Sequence, residues 1–86
     1  MNSFLAQKER ERNELSKAEK LNQKGLVCLK EGKVEEAIKW ITMAIEEDPT
    51  QFDFYGNRCS CYVKQKKFVS AIKDIQQSLK IQLDNP

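Results

Sequence analysis

The sequence predicts an all-α fold, an α-solenoid of two helical hairpins in which the first helix is extended towards the N terminus. Three observations support this prediction. Eight pattern positions, the first of which is Leu21, each have a counterpart 34 residues later in a second segment that begins at Tyr55. Apolar and small residues follow helical spacing through each segment, and no segment alternates as a strand would. A fixed period of this length is typical of stacked helical hairpins, which present binding surfaces rather than catalytic chemistry.

The composition fits one small folded domain. Charged residues make up 33% and apolar residues 40% of the 86 residues, unlike a disordered tail. The net charge of +2 is too small to imply nucleic-acid binding by itself. It is unevenly distributed, because residues 1–49 carry nine Lys/Arg against ten Asp/Glu, whereas residues 50–86 carry six against three. The second repeat is therefore the basic half.

The cysteines favour a reducing compartment. Cys28, Cys59 and Cys61 are odd in number and lie within helical patterns rather than at loops. The apolar run 4–6 is too short for a signal peptide, and nothing approaches a membrane span. We therefore expect an intracellular protein of the cytoplasm, with the nucleus as the alternative.

The first predicted helix runs without interruption from about Phe4 to Glu31, because no proline breaks it. Residues 1–17, which contain the start of this helix, are assigned as a charged helical extension that precedes the repeats. The alternative is a fresh start at Ser16, since Glu19 three residues later completes the pattern of a capping box. Gly32 is expected to end this helix in a left-handed conformation.

Three further helices follow. The second spans Val34 to about Glu47, and Asp48–Pro49 stops it. The third begins at residue 51 or 52 and ends at Lys64, and the fourth runs from Phe68 to about Leu83 after a tight turn. The fourth helix carries an apolar stripe that matches the stripe of the second: Phe68, Ala71, Ile72, Ile75 and Leu79.

Small residues predict where the paired helices approach most closely. Gly25 and Ala37 in the first hairpin correspond to Cys59 and Ala71 in the second. Larger residues at these positions would separate the helices, at an overpacking cost of about 1–3 kcal/mol.

Taken together, these positions resemble two tetratricopeptide repeats, at residues 18–51 and 52–85. The family pattern places a large apolar residue, a small residue and an aromatic on the first helix, then alanines and a proline. The second repeat departs from the family pattern at two positions: Lys66 corresponds to Gly32 of the first repeat, and Leu83 corresponds to Pro49. If Lys66 must be left-handed, a side chain there costs about 1 kcal/mol.

The resemblance implies a concave groove formed by the first helix of each hairpin. The residues expected to bind a peptide or helix there are Asn22, Leu26, Leu29, Lys30, Asn57, Ser60 and Lys64. Ordinary solvated surface is the competing interpretation. Some family members grip a C-terminal carboxylate with lysine and asparagine side chains. That clamp would need lysine at Asn22 and asparagine at Leu26, so only Asn57 matches.

Trp40 and Met43 form a candidate surface anchor for a partner. They lie three residues apart on the second helix, and their counterparts one repeat later, Asp74 and Gln77, are polar. The repeat pattern therefore does not require an apolar pair there, and tryptophan is enriched among binding hot spots. The alternative is that both side chains pack on the third helix or on the N-terminal extension.

The sequence favours neither catalysis nor a metal site. Histidine is absent, and no Gly-rich phosphate loop is present. Cys59 and Cys61 lie two residues apart on a helix and point to different sides, so they do not form a zinc site. Lys64, Lys66 and Lys67 could form a basic patch, together with Arg58 and Lys73, or simply a solvated turn. We predict no cofactor.

The predicted function is non-enzymatic protein–protein interaction, as an adaptor or scaffold in a chaperone-associated, co-chaperone-like context. Structural self-association through uncapped helix faces is one alternative, and phosphate or nucleic-acid binding by the basic second repeat is another. Because three repeats are generally needed for stability, we expect a fragment of a longer protein or self-association through the open C-terminal end.

Overall fold

Four α-helices form two antiparallel hairpins in the computed structural model, which describes residues 15–84. The helices are α1 (Lys17–Lys30), α2 (Val34–Glu47), α3 (Phe52–Lys64) and α4 (Phe68–Asp84), and no strand occurs among the described residues. Within each hairpin the two helices pack together, and α3 joins the hairpins by packing against α2 and α1. The predicted all-α fold of paired hairpins is confirmed.

The first helix begins later than the unbroken helix predicted from the sequence. Ser16 has an extended backbone (φ −64°, ψ 164°) and is the N-cap of α1. Its hydroxyl accepts a hydrogen bond from the backbone N–H of Glu19 at 3.1 Å and donates one to the Glu19 carboxylate at 3.2 Å. This side chain satisfies a backbone donor that has no partner inside the helix. The prediction of a continuous helix through residues 15 and 16 is therefore wrong, and the alternative start at Ser16 is confirmed. The rest of the predicted extension, residues 4–14, lies outside the described residues.

Both hairpin turns have the same backbone geometry. Gly32 and Lys66 each adopt a positive φ, of 81° and 61°. The following residue, Lys33 or Lys67, donates its backbone N–H to the carbonyl five residues earlier, at 2.8 Å in both turns. This pattern is the Schellman motif, which requires a left-handed residue directly after the helix. The expectation that Gly32 ends the first helix in a left-handed conformation is confirmed, and Lys66 adopts the same conformation in the second hairpin.

Small residues lie where the helices of each hairpin meet. A Cβ atom added to Gly25 would lie 2.6 Å from Cγ1 of Ile41 and 3.0 Å from the carbonyl oxygen of Ala37. Cys59 and Ala71 are buried at the corresponding positions of the second hairpin. The predicted close approach is therefore confirmed, and at Gly25 only glycine fits without displacing a neighbour.

One apolar core joins the two hairpins. It draws on all four helices, and its members are Ala18, Leu21, Cys28, Ala37, Ile41, Ala44, Ile45, Phe54, Tyr55, Cys61 and Ile81. The apolar stripe of α4 is not buried to the same extent as the apolar stripe of α2. Ala71 is buried, but Phe68, Ile72, Ile75 and Leu79 are exposed, because no described element packs on that side of α4. None of the four helices between residues 15 and 84 is long and apolar enough to cross a membrane.

Candidate protein-binding surface

A hydrogen bond between two amides links α1 to α3 at the centre of the predicted groove. The Asn57 Nδ2 donates to the Asn22 Oδ1 at 3.1 Å, across a sequence separation of 35 residues. Asn22 is buried and Asn57 is half-buried. Because an unpaired buried amide is costly, this bond favours one alignment of the two hairpins. Asn22 therefore has a structural partner inside the protein, and Asn57 is the more accessible member of the pair.

The other predicted groove residues divide into exposed and packed positions. Leu26 and Lys30 on α1 are exposed, as are Ser60 and Lys64 on α3, whereas Leu29 is partly buried against the core. The Ser60 hydroxyl donates to the carbonyl of residue 56 at 3.3 Å, which leaves its oxygen able to accept another hydrogen bond.

We define the α1–α3 surface as five exposed residues of these two helices together with the half-buried Asn57: Leu26, Lys30, Asn57, Ser60, Val63 and Lys64. Leu26 and Val63 provide its apolar part, and both are exposed. Lys30 and Lys64 lie in the last turns of α1 and α3, where their charges interact favourably with the helix dipoles. An apolar centre bordered by lysines suits an amphipathic peptide with acidic groups.

Trp40 and Met43 differ in their surroundings. Trp40 is half-buried and packs against the core, while Met43 is exposed. The ammonium group of Lys24 lies 4.8 Å from the centroid of the Trp40 ring, within the range of a cation–π interaction. Trp40 also lines an open cleft of about 600 Å³ together with Leu15 and Val27. Its ring is therefore both part of the fold and accessible from outside.

An ion pair between a half-buried arginine and a buried aspartate, which the sequence analysis did not predict, joins three helices. Arg58 on α3 donates from Nε and Nη2 to the two carboxylate oxygens of Asp74 on α4, at 2.8 and 2.7 Å. Its Nη1 also donates to the Thr42 hydroxyl on α2 at 3.2 Å. The hydrogen bonds with Asp74 raise the pKa of the Arg58 guanidinium above its ordinary value. Arg58 thus belongs to the hairpin interface, and the predicted basic patch loses one of its members.

The spacing of the chain contained a signal for this ion pair. Arg58 and Asp74 each lie eight residues from the left-handed turn residue Lys66. In the first hairpin, Lys24 and Trp40 each lie eight residues from Gly32, and they also meet. In both hairpins the residues eight positions before and eight positions after the left-handed residue therefore meet across the antiparallel helices.

The cysteines are free and buried. Burial raises the pKa of the Cys59 and Cys61 thiols, which disfavours the reactive thiolate form. Between residues 15 and 84, no group of three or more His, Cys, Asp or Glu side chains is arranged to hold a metal ion.

Comparison with known proteins gives short regions of similarity to much longer chains. No family model matches the sequence. A FAM10 family protein of Arabidopsis thaliana is 45% identical over 58 residues, covering 67% of this chain and 13% of the relative. The Hsp70-Hsp90 organising protein of Plasmodium falciparum is 32% identical over 69 residues, covering 80% of this chain and 27% of the relative. A TPR repeat-containing thioredoxin of Oryza sativa subsp. japonica is 43% identical over 51 residues, covering 59% of this chain and 16% of the relative.

The chain thus spans between about an eighth and about a quarter of the length of these relatives. One of them carries tetratricopeptide repeats in its name, and another is named as an organiser of other proteins. These names suggest a tetratricopeptide-like protein, in agreement with the 34-residue pattern and with the two helical hairpins.

Proposed function

We propose that this chain is a tetratricopeptide-repeat module for protein–protein interaction, an adaptor or scaffold without enzymatic activity that acts in the cytoplasm. The two helical hairpins and the similarity to an Hsp70-Hsp90 organising protein support a co-chaperone-like context. The expected partner is a peptide or helix of another protein, held on the α1–α3 surface.

The alignment of α1 with α3 is the observation that carries this proposal. The bond between Asn22 and Asn57 holds the two helices side by side, while Leu26 and Val63 remain exposed. Full burial of a leucine or valine side chain stabilises a complex by about 1.5–3 kcal/mol. Because Leu26 and Val63 are already partly covered, a bound peptide would gain only a fraction of this free energy from each of them. A bound peptide would cover both at once, and acidic groups on it would approach Lys30.

The test is retention of partner proteins by the intact chain and by two variants. Proteins retained from a cell extract are identified by mass spectrometry, purified and measured again by direct titration. Leu26→Asp should weaken their binding because it places a charge in the apolar centre. Asn57→Ala should also weaken it, because it removes the bond that holds α1 against α3. Val69→Asp is the matched control, since Val69 is exposed on α4, away from this surface. Equal binding by the wild type and Leu26→Asp would refute the proposed site.

Trp40→Ala tests the additional anchor on α2. We expect weaker partner binding together with a moderate decrease in melting temperature, because the half-buried ring also packs against the core. A large decrease in melting temperature with unchanged partner binding would show that Trp40 serves the fold alone.

Salt dependence separates this proposal from phosphate or nucleic-acid binding by the basic second hairpin. Binding driven by phosphate contacts weakens steeply as salt increases, whereas apolar docking changes little. Retention of the same proteins at high salt is therefore expected. Binding of a single-stranded RNA that disappears at high salt, with no protein partner retained, would favour the basic hairpin instead.

A further inference from the structure

The second hairpin exposes an apolar face on the side of α4 turned away from the first hairpin. A cleft of about 280 Å³ lies on it, and its lining residues are apolar except for Gln76: Cys59, Val63, Phe68, Ala71, Ile72 and Ile75. Leu79 continues the same stripe along α4. We call this set the α4 face. Exposed apolar surface of this continuity is typical of an interaction site.

The sequence repeat indicates that a helix could cover this face. Ile41 and Ile45 on α2 are the residues 34 positions before Ile75 and Leu79. Their exposed fractions are 0% and 8%, against 48% and 51% for Ile75 and Leu79. The difference arises from α3, because its buried side chains complete the core around Ile41 and Ile45. The equivalent apolar surface is therefore covered by a helix in the first hairpin and exposed in the second.

Charge distinguishes between the helices that could cover the α4 face. The second hairpin carries five lysines on or next to α4 and at the end of α3: Lys64, Lys66, Lys67, Lys73 and Lys80. None of them forms an ion pair with another residue between 15 and 84. A second copy of the chain would bring these like charges together, which is unfavourable. An acidic helix would instead be attracted.

We propose that the α4 face binds an acidic amphipathic helix of another protein, in the position that α3 occupies against the first hairpin. The proposal rests on the function as an interaction module and adds a second binding surface, which shares Val63 with the α1–α3 surface. The α3 helix provides the template for the apolar side of the ligand. Its residues in the shared core are the large Phe54 and Tyr55 and, seven positions after Phe54, the small Cys61. The bound helix needs two large neighbouring residues, a small one two turns later, and Asp or Glu on its exposed side.

The test uses two fluorescent peptides and the full 86-residue chain. Both peptides carry residues 51–65 of this sequence, with the five positions that are exposed on α3 (52, 53, 60, 63 and 64) replaced by Glu in the acidic probe and by Lys in the basic probe. Fluorescence anisotropy measures their binding under reducing conditions. We expect the acidic probe to bind at least about tenfold more tightly at low salt, with the difference shrinking at high salt.

Two variants separate this proposal from the α1–α3 surface. Ile75→Asp should abolish binding of the acidic probe and leave partners of the α1–α3 surface bound, while Leu26→Asp should have the opposite effects. Circular dichroism checks that both variants keep the helical content of the wild type. A variant with two charges reversed, Lys67→Glu with Lys73→Glu, leaves three lysines against two glutamates among these five positions and should therefore strongly reduce the preference for the acidic probe.

Three results would overturn the proposal. The first is equal affinity for both probes. The second is no binding of either probe at about 100 μM, which corresponds to a binding free energy weaker than about −5.5 kcal/mol. The third is a dimer of the chain by analytical ultracentrifugation that Ile75→Asp dissociates, because a second copy would then be the occupant. If the acidic probe binds through Ile75 but no partner depends on Leu26, only the α1–α3 proposal fails.

Discussion

Two glycine-to-alanine substitutions measure the cost of the close helix contact in the first hairpin. Alanine is more favourable than glycine inside a helix by about 1 kcal/mol, so both substitutions share this gain. An added Cβ at Gly56 meets nothing within 4 Å, and Gly56→Ala should stabilise the protein. At Gly25 the Cβ would lie 2.6 Å from Cγ1 of Ile41, whose side chain is fully buried, and 3.0 Å from the carbonyl oxygen of Ala37. Overpacking of this kind costs about 1–3 kcal/mol.

The shared helix gain cancels when the two variants are compared. Gly25→Ala should therefore be less stable than Gly56→Ala by about 1–3 kcal/mol. For a domain of this size each kcal/mol shifts the melting temperature by about 4–8 °C, so a separation of at least about 4 °C is expected. Urea denaturation followed by circular dichroism provides a second measurement. Equal stability of the two variants would show that α1 and α2 can separate without cost, and the role assigned to Gly25 would be wrong.

Three further substitutions test individual interactions. Lys66→Gly should raise the free energy of unfolding by about 1 kcal/mol, because glycine adopts φ 61° without strain. Asp74→Asn should lower it by about 3 kcal/mol, since it leaves the Arg58 guanidinium partly buried without its counter-charge. Hydrogen bonds from Thr50 hold the pKa of Asp48 below its ordinary value of 3.8. The stabilising contribution of this carboxylate is therefore complete above about pH 3.8 and lost as the pH falls through the lower folded-state pKa, and Asp48→Asn should remove that part of the acid dependence.

Neighbouring residues provide the controls. Lys67→Gly makes the same change one position after the left-handed residue and should not stabilise the protein. Asp84→Asn removes an exposed carboxylate at the end of α4 and should change stability by less than about 0.5 kcal/mol. If Lys66→Gly and Lys67→Gly have equal effects, the left-handed turn is not under strain. If Asp74→Asn is as mild as Asp84→Asn, the ion pair contributes little to the fold.

The helix boundaries within the repeats were predictable because strong local signals mark them. Gly32 and its counterpart Lys66 end the first helix of each hairpin, and Asp48–Pro49 separates the hairpins. The start of α1 was less predictable, because the residues on both sides of Ser16 favour helix. A single hydroxyl that accepts a backbone hydrogen bond decides the boundary there.

The polar contacts of the candidate site were the hardest features to predict. Periodicity locates apolar faces but does not pair polar residues that are far apart in sequence, such as Asn22 with Asn57. The α4 stripe shows a second limit. Its spacing equals that of α2, yet burial depends on whether another helix covers it, and spacing within one helix carries no information about its neighbours.

Two equivalent positions of the repeat make different contacts in the two hairpins, and this difference affects how longer repeat arrays could be engineered. Lys24 and Trp40 stack at the outer side of the first hairpin, where the second hairpin has Arg58 and Asp74. Each tandem copy of the second hairpin would contain its own arginine–aspartate ion pair, and its arginine would reach the preceding copy at Gln76, which replaces Thr42 as the hydrogen-bond acceptor. Tandem copies of the first hairpin would have Lys24 and Trp40 at these positions and would lack the arginine that makes this contact. The second hairpin is therefore the better unit for building internal repeats, and the first is the better unit for ending them.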